Sequence, residues 1–292
     1  TEARCQLILD YGRSEVIDYI FNALDNLLAQ HNIAFLKWDM NRNVTEPGSV
    51  VGKAIWQAHV AGVYGIMDRL RAKYPHLSIE SCSGGGGRVD LGILSRTDQV
   101  WTSDNTDALD RIRIPEGFSL AYPARVMEAW VTHERNHQTG RTHELSTRFD
   151  VAMRGALGIG ADLNSLSEAE LKEYASYIAF YKRIRHIVQG GDLYRLERLE
   201  EAGASTIQYV LAEGSEAVYS VAVHSYQLGQ YRSPVPLKGL IPSATYEVLD
   251  RFEKVRYMAT GVELMVQGIP GDEDGRSGHS RTLHIKRLET GD

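Results

Sequence analysis

Two stretches of the sequence place a carboxylate shortly after a short predicted strand. The run 33–36 is wholly apolar and precedes Asp39, and a second predicted strand, 99–101, precedes Asp104. Short apolar runs of this kind are typical of strands buried in a parallel sheet. In parallel α/β barrels, polar residues at the carboxyl ends of the strands point into the active-site mouth. Two carboxylates from two such ends can face each other across a cleft, which is the arrangement that cleavage of a glycosidic bond requires.

The neighbours of the two carboxylates predict different roles for them. Lys37 lies two residues before Asp39 and therefore shares its face of the strand. Its ammonium group would keep Asp39 ionised and so nucleophilic. Asp104 follows Trp101 and precedes Asp107, and an apolar neighbour and a like charge both favour a protonated carboxyl group. Asp39 is therefore predicted to attack or act as a base, and Asp104 to protonate the leaving oxygen.

A competing motif begins at His133 and ends at His137, where the sequence matches the H-E-x-x-H signature of zinc peptidases. That mechanism requires one continuous helix, so that both imidazoles share a face, together with a third metal ligand. Thr132 before the motif and Gly140 after it favour a strand that ends in a loop. The zinc metallopeptidase stays as an alternative from a different class of enzyme. A Schiff base on Lys37, as in barrel aldolases, is a second alternative.

Composition and charge exclude several classes of partner. The chain has 292 residues and a formal net charge of -6, which gives no reason to expect nucleic acid or an anionic membrane surface as a partner. No apolar run approaches the roughly 20 residues of a membrane span. The two cysteines, Cys5 and Cys82, cannot form a disulfide framework and suit a reducing compartment. We therefore expect a cytoplasmic protein.

Strand and helix patterns alternate along the first 190 residues. Six short runs are predicted strands, namely 7–9, 33–39, 77–80, 99–101, 129–131 and 156–160. Helical spacing predicts one helix up to about residue 28, capped by Ser14, and another over about 52–73. Ser167 and Glu170 form a capping box for a third, long helix. Six βα repeats exceed half a parallel barrel, whereas a doubly wound sheet would need a G-x-G-x-x-G after its first strand, and none is present.

The pattern changes near Gly190 and Gly191. Four later runs alternate in twos between turn residues, namely 206–210, 217–221, 246–248 and 282–285. Such runs are typical of antiparallel strands. The sequence therefore predicts two domains: a catalytic α/β domain over 1–190 and a small antiparallel β-sandwich over 191–292.

Four motifs follow one another along the chain. They are K-W-D-M-N-R at 37–42, E-S-C with four glycines and an arginine at 80–88, W-T-S-D-N-T-D at 101–107, and N-H-Q-T-G-R at 136–141. In order and approximate spacing they resemble the bacterial α-galactosidases of glycoside hydrolase family 36. The resemblance implies a (β/α)8 TIM barrel followed by a C-terminal β-sandwich. It also implies a retaining double displacement, with Asp39 as the nucleophile and Asp104 as the acid/base. Substrate contacts of the family fall on four matched positions: Arg4, Lys37, Cys82 and Gly85.

The resemblance further implies that this chain is the C-terminal part of the family's polypeptide. The family's N-terminal β-sandwich and first barrel strands have no counterpart here, so we expect the barrel to lack its first strands and the chain alone to be inactive. The expected activity is removal of terminal α-galactosyl residues from melibiose- or raffinose-type sugars, without a metal or organic cofactor. The partner is then a small oligosaccharide, and a homo-oligomer is expected for the full-length protein. Galactosyl transfer to another sugar and a catalytically silent sugar-binding fragment are the alternatives.

Overall fold

The structure, a computed structural model, describes residues 5–45, 48, 55–225, 232–270 and 277–288. The chain divides into two compact units, called unit 1 (residues 1–104) and unit 2 (residues 105–292) below. Arg4, one of the predicted substrate contacts, lies outside the described residues.

The described residues of unit 1 form three parallel strands and three helices. In chain order they are α1 (Ser14–Gln30), β1 (Phe35–Trp38), α2 (Ile55–Lys73), β2 (Ser78–Ser81), α3 (Leu91–Leu94) and β3 (Gln99–Trp101). β2 lies between β1 and β3 and pairs with both in parallel. Because all three strands run the same way, their carboxyl ends meet at one edge of the sheet. That edge carries the residues predicted to do the chemistry.

Apolar side chains from α1 and α2 pack on the sheet of unit 1. Ile66 and Leu70 of α2 and Ile79 of β2 are fully buried there, with Leu28 of α1 beside them. The two helices predicted from 3.6-residue spacing are therefore confirmed. The predicted cap is wrong: the N-cap is Arg13, which makes no side-chain cap bond, and Ser14 is already the first helical residue. Arg13 binds Glu15 instead, in the first turn.

The predicted strand at residues 7–9 is wrong. The segment has no regular secondary structure, and the side chains of Leu7 and Leu9 are 77% and 49% exposed. An apolar run forms a strand only where a neighbouring strand pairs with it, and no strand of the described residues does so here. β1 consequently pairs on one side only within the described residues, and Phe35 on it is exposed. The other five predicted parallel strands are confirmed.

Unit 2 begins with a parallel pair of strands and continues into an antiparallel sheet. Its first elements are α4 (Asp110–Phe118), β4 (Met127–Val131), α5 (Leu145–Ala152), β5 (Ala156–Ile159) and α6 (Glu168–Gly190). They are followed by β6 (Asp192–Glu197), α7 (Leu199–Ala202), β7 (Ala204–Val210), β8 (Glu216–Val223), β9 (Thr245–Leu249), β10 (Val255–Thr260), α8 (Gly261–Val266) and β11 (Ser280–Arg287). β4 and β5 pair in parallel. The predicted capping box of Ser167 and Glu170 is present at the start of α6.

Strands β6 to β11 form one antiparallel sheet in the order β10-β9-β11-β8-β7-β6. One of its faces packs against α6, with Tyr209 and Val218 in a cluster that includes Ile184. The other face is covered by the segment 235–240 and by Leu264 of α8. The predicted antiparallel strands are confirmed, and the layer that covers this second face among the described residues is a loop and a short helix. The domain boundary at residue 190 stays a prediction.

Inside unit 2, buried polar residues join α5 and the loop after it to the antiparallel sheet. This group of residues, Asp150 and Arg154 with their serine partners, is called the seam below. Arg154 is 3% exposed and donates hydrogen bonds to the hydroxyl and carbonyl oxygens of Ser205 and Ser220. Asp150 accepts a hydrogen bond from the Ser280 hydroxyl at 2.8 Å. Burial lowers the pKa of Arg154 to about 10 and raises the pKa of Asp150. These partners satisfy two groups that would otherwise be costly to bury.

No helix of the described residues has the length and apolar character that crossing a membrane would require.

Candidate active site

Asp39 lies directly after β1, where the backbone pairing with β2 continues past the strand ends. The amide of Cys82 donates to the Trp38 carbonyl and the amide of Met40 to the Cys82 carbonyl, each at 3.0 Å. This pairing sets Asp39 beside Cys82, whose thiol hydrogen-bonds to the carboxylate. The Asn41 amide nitrogen donates to Asp39 Oδ2 at 2.5 Å. The carboxylate is exposed, so it is accessible to a substrate.

The thiol of Cys82 is a hydrogen-bond donor rather than a nucleophile. Its side chain is buried, and burial raises its pKa, with a further increase from the neighbouring Asp39, to about 11. A thiol with that pKa is protonated at neutral pH, and only the thiolate attacks carbon or binds metals well. Cys82 therefore places a neutral, polarisable side chain beside Asp39.

Lys37 is held by a buried carboxylate that the sequence argument missed. Its ammonium nitrogen lies 2.7 Å from Glu80 Oε1 and 4.7 Å from the centroid of the Trp101 ring. Glu80 is 1% exposed and sits opposite Lys37 in the register of β1 and β2. The sequence contained Glu80 within a motif, but its role depends on a strand register that the sequence alone does not specify. The ammonium group was expected to keep Asp39 ionised, and in the structure it forms an ion pair with Glu80 on β2.

Asp104 lies three residues beyond the end of β3. The indole nitrogen of Trp101 donates to Asp104 Oδ1 at 3.0 Å, and the residue is exposed. Trp101 itself is buried. A rigid aromatic donor therefore sets the direction of one carboxylate oxygen, while the side chain of Asp104 stays accessible for proton transfer.

The glycine run forms a tight loop, Ser83–Gly87, that touches the chain beside both carboxylates. Gly85 has φ of 86°, and a Cβ on it would lie 2.8 Å from Ser103 Cα and 2.9 Å from the amide nitrogen of Asp104. At the other end of the loop, the Ser83 hydroxyl donates to the Met40 carbonyl at 2.9 Å. Glycine is required here because the loop backbone packs against the backbone that carries Asp104.

The side chain of Arg88 bridges the carboxyl ends of β1 and β2 by hydrogen bonds. Its guanidinium group donates to the Trp38 carbonyl at 2.7 Å and to the Cys82 carbonyl at 3.1 Å. Burial lowers the pKa of Arg88, and the charge of Asp39 acts in the opposite direction. One of these carbonyl groups belongs to Trp38, which precedes Asp39 in the chain, and the other to Cys82, which lies opposite Asp39 after β2, so this arginine fixes the backbone from which Asp39 projects.

A cleft of about 330 Å³ lies beside Asp39 within unit 1. Its lining includes the exposed segment 6–9, the loop 38–42, Tyr11, His59 and Arg88. The volume falls in the range of small-molecule sites, and the walls combine apolar side chains with a few charged groups, as such sites usually do.

The structure gathers the predicted site residues of unit 1 at one edge of its sheet. Asp39 follows β1, Cys82 and Gly85 follow β2, Asp104 follows β3, and the side chain of Lys37 is anchored between Glu80 and Trp101. This placement agrees with the expectation that strand ends converge. The catalytic and binding roles of these residues stay predictions.

The zinc-peptidase hypothesis is wrong, because its motif does not form a helix. His133 and His137 are exposed in a loop after β4, and within that loop Arg135 forms an isolated bridge with Thr142. The two imidazoles therefore do not share the helical face that the H-E-x-x-H motif requires. The favoured strand-to-loop interpretation of this stretch is confirmed.

Comparison with known proteins agrees with the motifs. Residues 1–191 match the Melibiase family, and residues 204–285 match the glycosyl hydrolase family 36 C-terminal domain. The chain belongs to glycoside hydrolase family 36. The resemblance recognised in the sequence is thereby confirmed, and so is the fold class.

Relatives in glycoside hydrolase family 36 extend well beyond this chain. Alpha-galactosidase AgaA of Geobacillus stearothermophilus is 42% identical over 253 residues, which are 85% of this chain and 35% of AgaA. An AgaA variant solved in complex with raffinose matches with a TM-score of 0.92 and 37% identity, over 99% of this chain and 40% of that one. A second AgaA variant, in complex with stachyose, matches with a TM-score of 0.92, 38% identity and the same coverage. This family 36 chain thus spans less than half the length of these relatives.

Proposed function

We propose that the protein to which this chain belongs is a retaining α-galactosidase that removes terminal α-galactosyl residues from oligosaccharides such as melibiose and raffinose. The observation that carries the proposal is the position of Asp39 and Asp104 at one edge of a parallel sheet, both exposed and each oriented by a neighbouring donor. Membership of family 36 supports the reaction class. The raffinose and stachyose complexes of AgaA support the substrate class.

In the proposed first step, a carboxylate oxygen of Asp39 attacks the anomeric carbon of the galactosyl unit. Asp104 donates its proton to the glycosidic oxygen as the bond to the leaving sugar breaks. The product of this step is a galactosyl ester of Asp39. The hydrogen bonds from Asn41 and Cys82 hold the Asp39 carboxylate in one orientation before the attack.

In the second step, Asp104 acts as a base and removes a proton from a water molecule that attacks the same anomeric carbon. The ester bond to Asp39 breaks, and α-galactose leaves with its original configuration after two inversions. Lys37, fixed by Glu80 and Trp101, supplies a cation for the hydroxyl groups of the sugar. If a sugar hydroxyl replaces water in this step, the outcome is galactosyl transfer.

The proposal is tested on the whole protein with two substrates. We expect release of nitrophenol from an aryl α-galactoside and of galactose from raffinose, with α-galactose as the first anomer detected by NMR. Initial formation of β-galactose would contradict the double displacement. Absence of turnover on both substrates would contradict the activity itself and would favour a sugar-binding role.

Three further expectations accompany the proposed function. A cytoplasmic location, a bacterial source and a homo-oligomeric state of the full-length protein stay predictions. Sedimentation of the whole protein measures the oligomeric state directly.

A further inference from the structure

A buried carboxylate, Asp107, lies three residues after Asp104 and has no place in the proposed two-step mechanism. Its side chain is 0% exposed. It accepts hydrogen bonds from the Thr139 hydroxyl, from His143 Nε2 at 3.0 Å and from Arg141 Nη1 at 3.1 Å. It also accepts from the backbone amide of Leu109 at 2.9 Å. A buried carboxylate with this many donors is rigid, because each donor fixes its position.

Asp107 lies in the turn that directly follows Asp104, and further hydrogen bonds hold this turn. Within this turn, the Asn105 carbonyl accepts from Arg111 Nε at 2.6 Å, and Asn105 Oδ1 accepts from the amide of Asp107 at 3.0 Å. The side-chain nitrogen of Asn105, Nδ2, donates to Asp110 Oδ2 at 2.7 Å. Since Asn105 is bonded to Asp104 in the chain, these contacts fix the backbone on the C-terminal side of Asp104.

A second segment, the loop 136–143, supports the same turn from its other side. Asn136 Nδ2 donates to the Thr106 hydroxyl at 3.0 Å, and the Thr106 amide donates to Gln138 Oε1 at 2.9 Å. The loop also supplies the three side-chain donors to Asp107. This loop contains the fourth motif of the sequence, N-H-Q-T-G-R, whose role the proposed mechanism leaves unexplained.

We propose that Asp107 is a positioning residue of the reaction, which holds the turn after Asp104 against the loop 136–143 so that the proton of Asp104 is aligned with the leaving oxygen. This inference rests on the proposed function. Asp104 is exposed, the Trp101 indole orients one oxygen of its carboxylate, and its peptide bond to Asn105 leads directly into the Asp107 turn. A shift of about 1 Å in a catalytic group can lower a rate about a hundredfold.

Misalignment of the acid has a kinetic signature that simple instability does not share. A leaving group such as dinitrophenol departs without a proton, whereas the sugar of melibiose requires one. A variant with a displaced Asp104 therefore retains kcat/KM on the activated substrate and loses kcat/KM on melibiose. Its kcat on the activated substrate falls together with KM, because the second step needs Asp104 as a base and the galactosyl-enzyme accumulates.

The test compares variants of the whole protein on these two substrates. For Thr139→Val, which removes one donor from an exposed residue, we expect kcat/KM on melibiose to fall about tenfold, and for Asp107→Asn about a hundredfold. On the dinitrophenyl α-galactoside, kcat/KM should change by less than about threefold in both. Thr139→Ser keeps the hydroxyl group and should restore the activity on melibiose.

Asp150→Asn is the matched control, because Asp150 is a buried and hydrogen-bonded carboxylate of unit 2 that lies in the seam with the antiparallel sheet. Its ratio of activities on the two substrates should equal that of the parent protein. Equal losses on both substrates for Thr139→Val, or no loss on either, would overturn the positioning role. Absence of turnover in the parent protein would instead reject the proposed function.

Discussion

The two polar regions of this chain are arranged in opposite ways. At the sheet edge of unit 1, Asp39 and Asp104 are exposed, and each is oriented by a donor on a nearby residue. In the seam of unit 2, Arg154 and Asp150 are buried and bound to the hydroxyl and carbonyl groups of serines on the antiparallel sheet. The first arrangement leaves charge available to a substrate, and the second uses charge to join two parts of one unit.

The difference predicts which substitutions affect activity and which affect folding. Replacing an exposed carboxylate at a strand end removes chemistry and little packing, so the free energy of unfolding should hardly change. Replacing a fully buried polar group leaves its partners without hydrogen bonds, and that loss appears as instability. Variants of the two regions should therefore lose different properties.

Asp39→Asn should give the largest change in activity. Without a carboxylate no galactosyl ester can form, so turnover of every α-galactoside by the whole protein should fall by at least about 10⁴-fold. The thermal unfolding midpoint should stay that of the parent. Asp18→Asn, which alters an exposed carboxylate on α1 paired with Arg69, serves as the control and should leave activity unchanged. Residual turnover within about tenfold of the parent would remove Asp39 from the mechanism.

Asp104→Asn should reduce turnover of melibiose about 10³-fold, since general acid catalysis typically contributes two to four orders of magnitude. With a dinitrophenyl α-galactoside, kcat/KM should fall less than about tenfold, because that leaving group needs no proton. A brief burst of dinitrophenol before the slow steady state would report the accumulated galactosyl-enzyme. Equal losses on both substrates would argue against the acid/base role.

Gly85→Ala should lower activity about a hundredfold by displacing the backbone at Asp104. The new Cβ would lie 2.8 Å from Ser103 Cα, which is closer than real Cβ atoms approach, so the Ser83–Gly87 loop or the segment 103–104 has to move. Gly84→Ala is a sharp control, because Gly84 also has a positive φ, of 53°, but has nothing within 4 Å of its Cβ position. If both variants lose the same activity, backbone strain rather than the close contact is the cause.

Arg154→Met should act on stability alone. Removing a buried cation leaves the hydroxyl and carbonyl groups of Ser205 and Ser220 without their donor, which should lower the free energy of unfolding by about 3 kcal/mol. The activity per folded molecule should not change. Arg71→Met, which removes an exposed ion pair with Asp98, should cost less than about 1 kcal/mol. Urea titrations of both variants and an active-site titration measure the two quantities separately.

Two buried carboxylates of unit 2, Asp107 and Asp150, should respond to pH with opposite signs. Burial raises the pKa of Asp107, but hydrogen bonds from Thr139 and His143 outweigh that effect and lower the pKa to about 2. The stability it contributes, about 2 kcal/mol, should be complete above about pH 4 and be lost as the pH falls through 2. Burial raises the pKa of Asp150, so its contribution is present at low pH and is lost as the pH rises.

Unfolding midpoints of the Asn variants between pH 2 and pH 7 check this difference. Asp107→Asn should flatten the decline of the midpoint towards acid, and Asp150→Asn should flatten the decline towards neutral pH. Identical pH profiles for the two variants would contradict the assignment.

Local patterns in the sequence predicted those features that depend on neighbours along the chain. The spacing of apolar residues predicted α1 and α2, and the pair Ser167 and Glu170 predicted the start of α6. The wrong prediction at residues 7–9 shows the limit of this approach, since an apolar run does not specify whether a partner strand lies beside it. The motifs also predicted that Asp39 and Asp104 follow strands of one parallel sheet.

Contacts between segments that are distant in the chain could not be predicted from the sequence. Glu80 became visible as the partner of Lys37 only through the strand register, and the side-chain donors of Asp107 come from residues more than thirty positions away. The substrate contact expected of Gly85 stays a prediction, and the packing of Gly85 and Gly86 against residues 102–104 was not foreseen from the sequence. Each of these is a matter of which side chains and backbone segments meet, and that information arises only when the chain is folded.

The Ser83–Gly87 loop also limits how this site can be redesigned. The loop has a backbone neighbour at each end, at Met40 and at Asp104, so an inserted residue or a larger side chain would disturb both flanks together. Its length and composition should therefore tolerate almost no change in a mutational library. The segment that follows Asn41, where Asn43 and Thr45 are exposed, should tolerate substitutions far better, since changes there leave both flanks of the loop in place.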